Sequence, residues 1–163
     1  MVSKRTSREA GHRRKFLAIV DNTPECERAI AYAAWRARST GGAVVLLYVM
    51  ETADFQQWLS VEKIMREEAT AAARAALDGH AARVREKAGI EPELVVREGV
   101  AAQEIHKLIE EDQDIAILVL AAGGAKEGPG PLVASIAGKG AAFPVPVTVV
   151  PVGLTDEEIE GLA

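Results

Sequence analysis

The sequence predicts a single α/β domain built on a doubly wound, five-stranded parallel sheet. Three observations predict it. Apolar runs alternate with amphipathic helical stretches along most of the chain, those runs are continuous rather than alternating with polar residues, and 163 residues suffice for one core of this kind. A continuous apolar run suits a strand covered on both faces, which points to parallel pairing with helical crossovers.

Each element follows from its residues. Phe16 to Val20 reads as a buried strand ended by the turn formers Asp21, Asn22, Thr23 and Pro24; Thr23 is expected to cap the next helix and Pro24 to occupy its first position. Cys26, Ala29, Ile30, Ala33, Ala34 and Ala37 recur at spacings of three and four, which places all six on the helix face that meets the sheet. Gly41 and Gly42 stop that helix, and Ala43 to Met50 is the second strand. A long helix with a thin face of small residues is predicted from about Phe55 to Lys87, closed by Gly89 and Pro92. Glu93 to Arg97 is a short third strand, and Ile105, Leu108, Ile109 and Asp112 mark a third helix.

Ile115 to Ala121 is the most hydrophobic strand and belongs at the centre beside the first. After a loop rich in Gly and Pro, Ala122 to Gly130, Pro131 opens a short helix that Gly138 and Gly140 end. Val145 to Val150 is the fifth strand, and Pro144, Pro146 and Pro151 confine it to a border. The expected strand order is 3-2-1-4-5. Residues 1–14 read as a basic extension, 15–152 as the domain and 153–163 as an acidic tail, both ends being expected as solvated.

Composition excludes several functions. Nineteen Lys and Arg against twenty-four Asp and Glu give a charge of −5, so the surface as a whole repels nucleic acid and anionic lipid, and 4% aromatic content provides no base-stacking platform. No apolar run approaches the roughly 18 residues of a membrane helix, and no export signal is read at the amino terminus. A single cysteine forms no internal disulfide, so a reducing compartment, the cytoplasm, is expected. Cys26 falls on the buried stripe and is expected to be an inert core thiol; His12, His80 and His106 have no metal-ligand spacing, and no metal site is expected.

In a doubly wound sheet, ligands bind beyond the carboxyl ends of the strands where the winding reverses. The turn Asp21 to Pro24 and the loop Ala121 to Pro131 meet at that point. Gly123, Gly124, Gly128 and Gly130 allow close backbone approach to a ligand, a helix amino terminus follows, and Lys126 adds a charge suited to phosphate. Tight turns alone account for the same glycines equally well. Gly138-Lys139 lacks the preceding Gly and following Ser or Thr of a Walker loop, Gly128-Pro129-Gly130 lacks the third Gly of a dinucleotide fingerprint, and Ser135 has no nucleophile elbow around it.

These residues resemble the universal stress protein family, whose nucleotide-binding members carry G-x2-G-x9-G-[ST] after the fourth strand. The same register here contains Ala121, Gly124, Ala134 and Ser135. The turn Asp21-Asn22-Thr23-Pro24, the strand end Tyr48-Val49 and the closing Phe143 to Val150 match as well, so the resemblance spans Lys15 to Val152 and implies a Rossmann-like domain. It implies that Asp21 and the backbone at Val49 hold the adenine and ribose of ATP or AMP. It also implies that Gly124, Ala134 and Ser135 hold phosphates, with Lys126, Gly128 and Gly130 as further candidates. The expected function is regulatory nucleotide binding rather than catalysis, in a homodimer joined through Val145 to Val150 and acting on an unidentified regulatory protein. A dimeric interaction module without nucleotide, in which Ala121 and Ala134 mark a lost site, and a slow ATP hydrolase using Glu127 remain as alternatives.

Overall fold

A computed structural model of the chain describes residues 4–51, 62–123, 130–138 and 143–163. Five strands, β1 (Lys15–Ile19), β2 (Ala43–Met50), β3 (Glu93–Glu98), β4 (Ile115–Ala121) and β5 (Val147–Val150), form one sheet in the order β3-β2-β1-β4-β5, and every neighbouring pair is parallel. The helices are α1 (Cys26–Thr40), α2 (Glu62–Ala88), α3 (Ala101–Glu111), α4 (Pro131–Ala137) and α5 (Asp156–Leu162).

Period-two alternation assigns each strand residue to a layer. Phe16, Ala18 and Val20 join Val44 and Leu46 in a core with α1, α2 and α5, whereas Leu17, Ile19, Val45 and Leu47 pack with α3 and α4. Strand β1 is therefore buried from both sides. In α2 the buried positions are Ala73, Leu77, Ala81, Val84 and Ala88, so the helix is deeply packed only from Ala73 onward. The predicted start of this helix at Phe55 lies outside the described residues.

Three expectations are corrected at element ends. Helix α1 begins at Cys26, not Pro24, and Thr23 does not cap it: both the Thr23 N–H and hydroxyl donate to Asp21 Oδ1, forming a local turn instead. Strand β5 begins at Val147, because Pro146 has no N–H to give the ladder while its carbonyl accepts from Leu118; Val145 points into the α3–α4 core. Gly41 takes the left-handed conformation at φ 68° that closes α1. Its neighbour Gly42 lets the chain enter β2 against β1, since a Cβ there would stand 2.5 Å from the Arg14 carbonyl oxygen.

Neither described terminus is a solvated tail. At the amino end, Arg5 Nη1 donates to the carbonyls of Ile109 at 2.7 Å and Ile115 at 3.1 Å, satisfying a carbonyl that the end of α3 leaves open. Thr6 and His12 bond to Asp114, which lowers the Asp114 carboxyl pKa through the Thr6 hydroxyl first. At the carboxyl end, Thr155 and Glu158 form a reciprocal capping box that starts α5. Arg28 and Lys87 both bind Asp156, and Ile159 is fully buried beside α1. The capping spacing was readable in the sequence, but the acidic run masked it.

If α5 belongs to the folded domain, Ile159→Ala will cost about 2–4 kcal/mol of unfolding free energy in urea titrations, the usual range for a truncated core aliphatic. An unchanged midpoint would return this segment to the status of a tail.

Candidate functional site

The sheet leaves a cleft over the carboxyl ends of its central strands. Chain order supplies the reason: from β1 the chain winds through β2 to β3 with α1 and α2 on one face, then returns to β4 on the other side of β1 with α3 and α4 on the opposite face. Among the described residues no helical crossover passes above the junction of β1 and β4.

The larger cavity there measures about 650 Å³. Its floor is the end of β1, from Ile19 to Asn22, and one wall is the end of β2, from Tyr48 to Glu51. Ala69 and Ala72 of α2, the start of α3 and Leu132 and Ser135 of α4 complete it. A second recess of about 120 Å³ lies between β1, the first turn of α1, the end of β4 and the start of α4. Ile19, Asp21 and Leu132 border both spaces, so Asp21 stands where they meet.

Asp21 is held by its own turn. Its Oδ1 accepts from the Thr23 N–H at 2.8 Å and from the Thr23 hydroxyl, while among the described residues no donor reaches Oδ2. That oxygen remains available to a ligand hydroxyl. The described lining of the larger cavity contains two carboxylates, Asp21 and Glu51, and no basic side chain. Such a wall suits hydroxyl donors and an apolar ring rather than bare phosphate.

The structure brings Asp21, Val49 and Ser135 together around the larger cavity and puts Gly130 on the adjoining recess. Gly130 adopts φ 91° as the chain turns into α4, a conformation that favours glycine. Ala134 is exposed on α4 and borders neither space. Ala121 borders the smaller recess and packs against the α1 side of the core. Gly124, Lys126, Gly128 and Glu127 lie outside the described residues.

Sequence reasoning missed the turn between β3 and α3. Gly99 donates its N–H to the Met50 carbonyl at 2.9 Å and adopts φ 151°; a Cβ there would meet Glu104 Cγ at 2.9 Å. This close approach sets Val100, Ala101 and Ala102 on the cavity wall, with the positive end of the α3 dipole beside it. The signal available was the rule that ligands collect at strand carboxyl ends, which applies to β3 as well as to its neighbours.

The universal stress protein family matches residues 12–151. The chain belongs to the universal stress protein family. Solved universal stress proteins share its fold. One from Lactobacillus plantarum superposes with a TM-score of 0.72 at 17% identity, covering 84% of this chain and 97% of that one. A universal stress protein solved in complex with cAMP gives 0.62 at 14% identity over 86% and 98% of the two chains. One from Archaeoglobus fulgidus in complex with dAMP gives 0.58 at 20% identity over 84% and 97%. No curated protein matches the chain in sequence.

Two further expectations concern reactive groups. Cys26 is buried, and desolvation pushes its thiol up to about 11 despite its place at the start of α1. His80 comes within 3.9 Å of the Cys26 sulfur and is half-buried, and burial lowers its pKa. Among the described residues no group of three His, Cys, Asp or Glu could hold a metal ion. No helix among them is long and apolar enough to cross a membrane.

With a pKa of about 11, only about one thiol in a thousand is ionised at pH 8. Iodoacetamide will therefore modify Cys26 at least about a hundredfold more slowly in the native protein than in urea at that pH, with the rate rising towards pH 11. Equal rates in both states would show a reactive thiolate.

Proposed function

We propose that this universal stress protein is a regulatory binding protein whose ligand is an adenine nucleotide, ATP or AMP, seated in the cleft above β1. One observation carries the reading: Asp21, with Oδ2 open to a ligand, borders two adjoining hollows at the winding reversal. A carboxylate in that position accepts from ribose hydroxyls, as acidic residues do in other doubly wound nucleotide sites. The volume of the larger cavity lies within the ordinary range for ligand pockets, roughly 300–1,000 Å³. The apolar ends of β1 and β2 suit the base. The phosphates then extend past Ser135; Gly124, Lys126 and Gly128, the further candidates for phosphate contact, lie outside the described residues. The structural relatives solved with cAMP and dAMP support the adenine class.

The protein acts by occupancy rather than turnover, and its lone buried thiol suits a reducing cytoplasm. A second copy pairs along β5, the border strand, where Val149 is 43% exposed. The shortness of that strand limits the pairing to a few residues.

Titration calorimetry with ATP and AMP tests the nucleotide reading. Binding to the wild type is expected, with Asp21→Ala weakening it about ten- to a hundredfold, the effect of losing hydrogen bonds to a charged acceptor. No association of either nucleotide at millimolar concentration would leave the interaction module without a nucleotide as the better account.

A further inference from the structure

A second recess of different chemistry lies at the other end of the sheet. Arg5, Ser7, Arg8 and Arg14 border it together with Ala116 and Ile117 near the start of β4, and it measures about 350 Å³. With about 3.3 Å of rise per residue, the five residues of β1 separate it from the Asp21 cleft by roughly 16 Å. Its described lining contains three guanidinium groups and no carboxylate.

The recess is built rather than incidental. Arg5 is clamped on the carbonyls of Ile109 and Ile115, and Thr6 ties the same segment to the Gln113 carbonyl and to Asp114. The backbone at Arg14 is fixed on both sides, its carbonyl accepting from Ala43 N–H and the following Lys15 N–H donating to the Asp114 carbonyl. Nearby carboxylates are already engaged: Asp114 by Thr6 and His12, Asp112 and Glu93 by Lys15, and Glu9 by Lys4.

Arg8 and Arg14 share with Arg13 and Arg74 the lack of a side-chain hydrogen bond or ion pair among the described residues, but of these four only Arg8 and Arg14 border the recess. Arg28, Arg66, Arg85 and Arg97 each pair with a carboxylate. In a chain with a net charge of −5, two uncompensated guanidinium groups beside a third, on a fixed scaffold, form a local positive field. We propose that this recess binds a phosphate group of multiple negative charge, as an inorganic polyphosphate or as the phosphate tail of a nucleotide whose base is not read. Planar guanidinium forks match phosphate oxygens two at a time, which a point charge does not. The Ser7 hydroxyl on the rim adds a neutral donor. The site is independent of the Asp21 cleft.

Amide chemical shifts of isotope-labelled protein test this, with tripolyphosphate and ATP added separately at low ionic strength. Tripolyphosphate will shift the amides around Arg8, Arg14, Ala116 and Ile117 and leave Val49 unmoved. ATP will shift the same rim amides if the source is a nucleotide tail and spare them if it is the free anion. In the double variant R8Q/R14Q the tripolyphosphate affinity will fall at least about tenfold, and it will also fall when salt is raised from 50 to about 200 mM. Asp21→Ala will leave it unchanged. The proposal is overturned if tripolyphosphate shifts no rim amide in the wild type, a result that needs no variant to fold. It is also overturned if an oligoglutamate peptide of equal charge competes as well as the phosphate, which would show an acidic protein segment as the occupant.

Discussion

The burial of β1 between two parallel neighbours is the constraint on which the rest of the molecule depends. Phe16, Leu17 and Ala18 have no exposed surface, and β2 and β4 occupy both edges of the strand. With both edges filled, the chain must leave β1 in one direction and return on the other side. That reversal puts helices on opposite faces and, among the described residues, leaves no helix over the carboxyl end of β1. The cleft is thus a product of topology, and Asp21 is placed in it because it is the second residue beyond the strand.

The opposite ends of the same strand carry opposite chemistry. Beyond its carboxyl end the described walls hold Asp21 and Glu51 among apolar residues, which suits a sugar and a ring. Before its amino end Arg14 stands with Arg5 and Arg8 over the start of β4. Ionic groups between the layers are similarly divided: Lys15 bridges Glu93 and Asp112 at the lower rim, while Arg28 and Lys87 converge on Asp156 to hold α5. Most of these pairs are partly solvated and contribute little individually, so the core carries stability and the charges set position.

Strands β2 and β4 were legible because they are written as uninterrupted apolar runs entered from Gly42 and Asp114. Ala43–Met50 and Ile115–Ala121 have the bounds that their letters suggest. Sequence failed where a tertiary partner overrides a local pattern. Thr23 is a good capping residue, yet Asp21 two positions earlier captures it. The charged termini look solvated until Ile109, Ile115 and Asp156 reveal what their counterparts bind. Topology placed the Asp21 turn at the winding reversal and the family resemblance nominated Val49 and Ser135, three residues that border one cavity, whereas the contribution of Gly99 to Ala102 depends on a backbone approach to Met50 that no spacing encodes.

The most direct test of the central claim is a crystal structure of the protein grown with AMP. The ribose hydroxyls are expected within hydrogen-bond distance of the Asp21 carboxylate, with the base between the ends of β1 and β2 and the phosphate directed past Ser135. Nucleotide found elsewhere on the surface, with the cleft above β1 filled only by solvent, would contradict it.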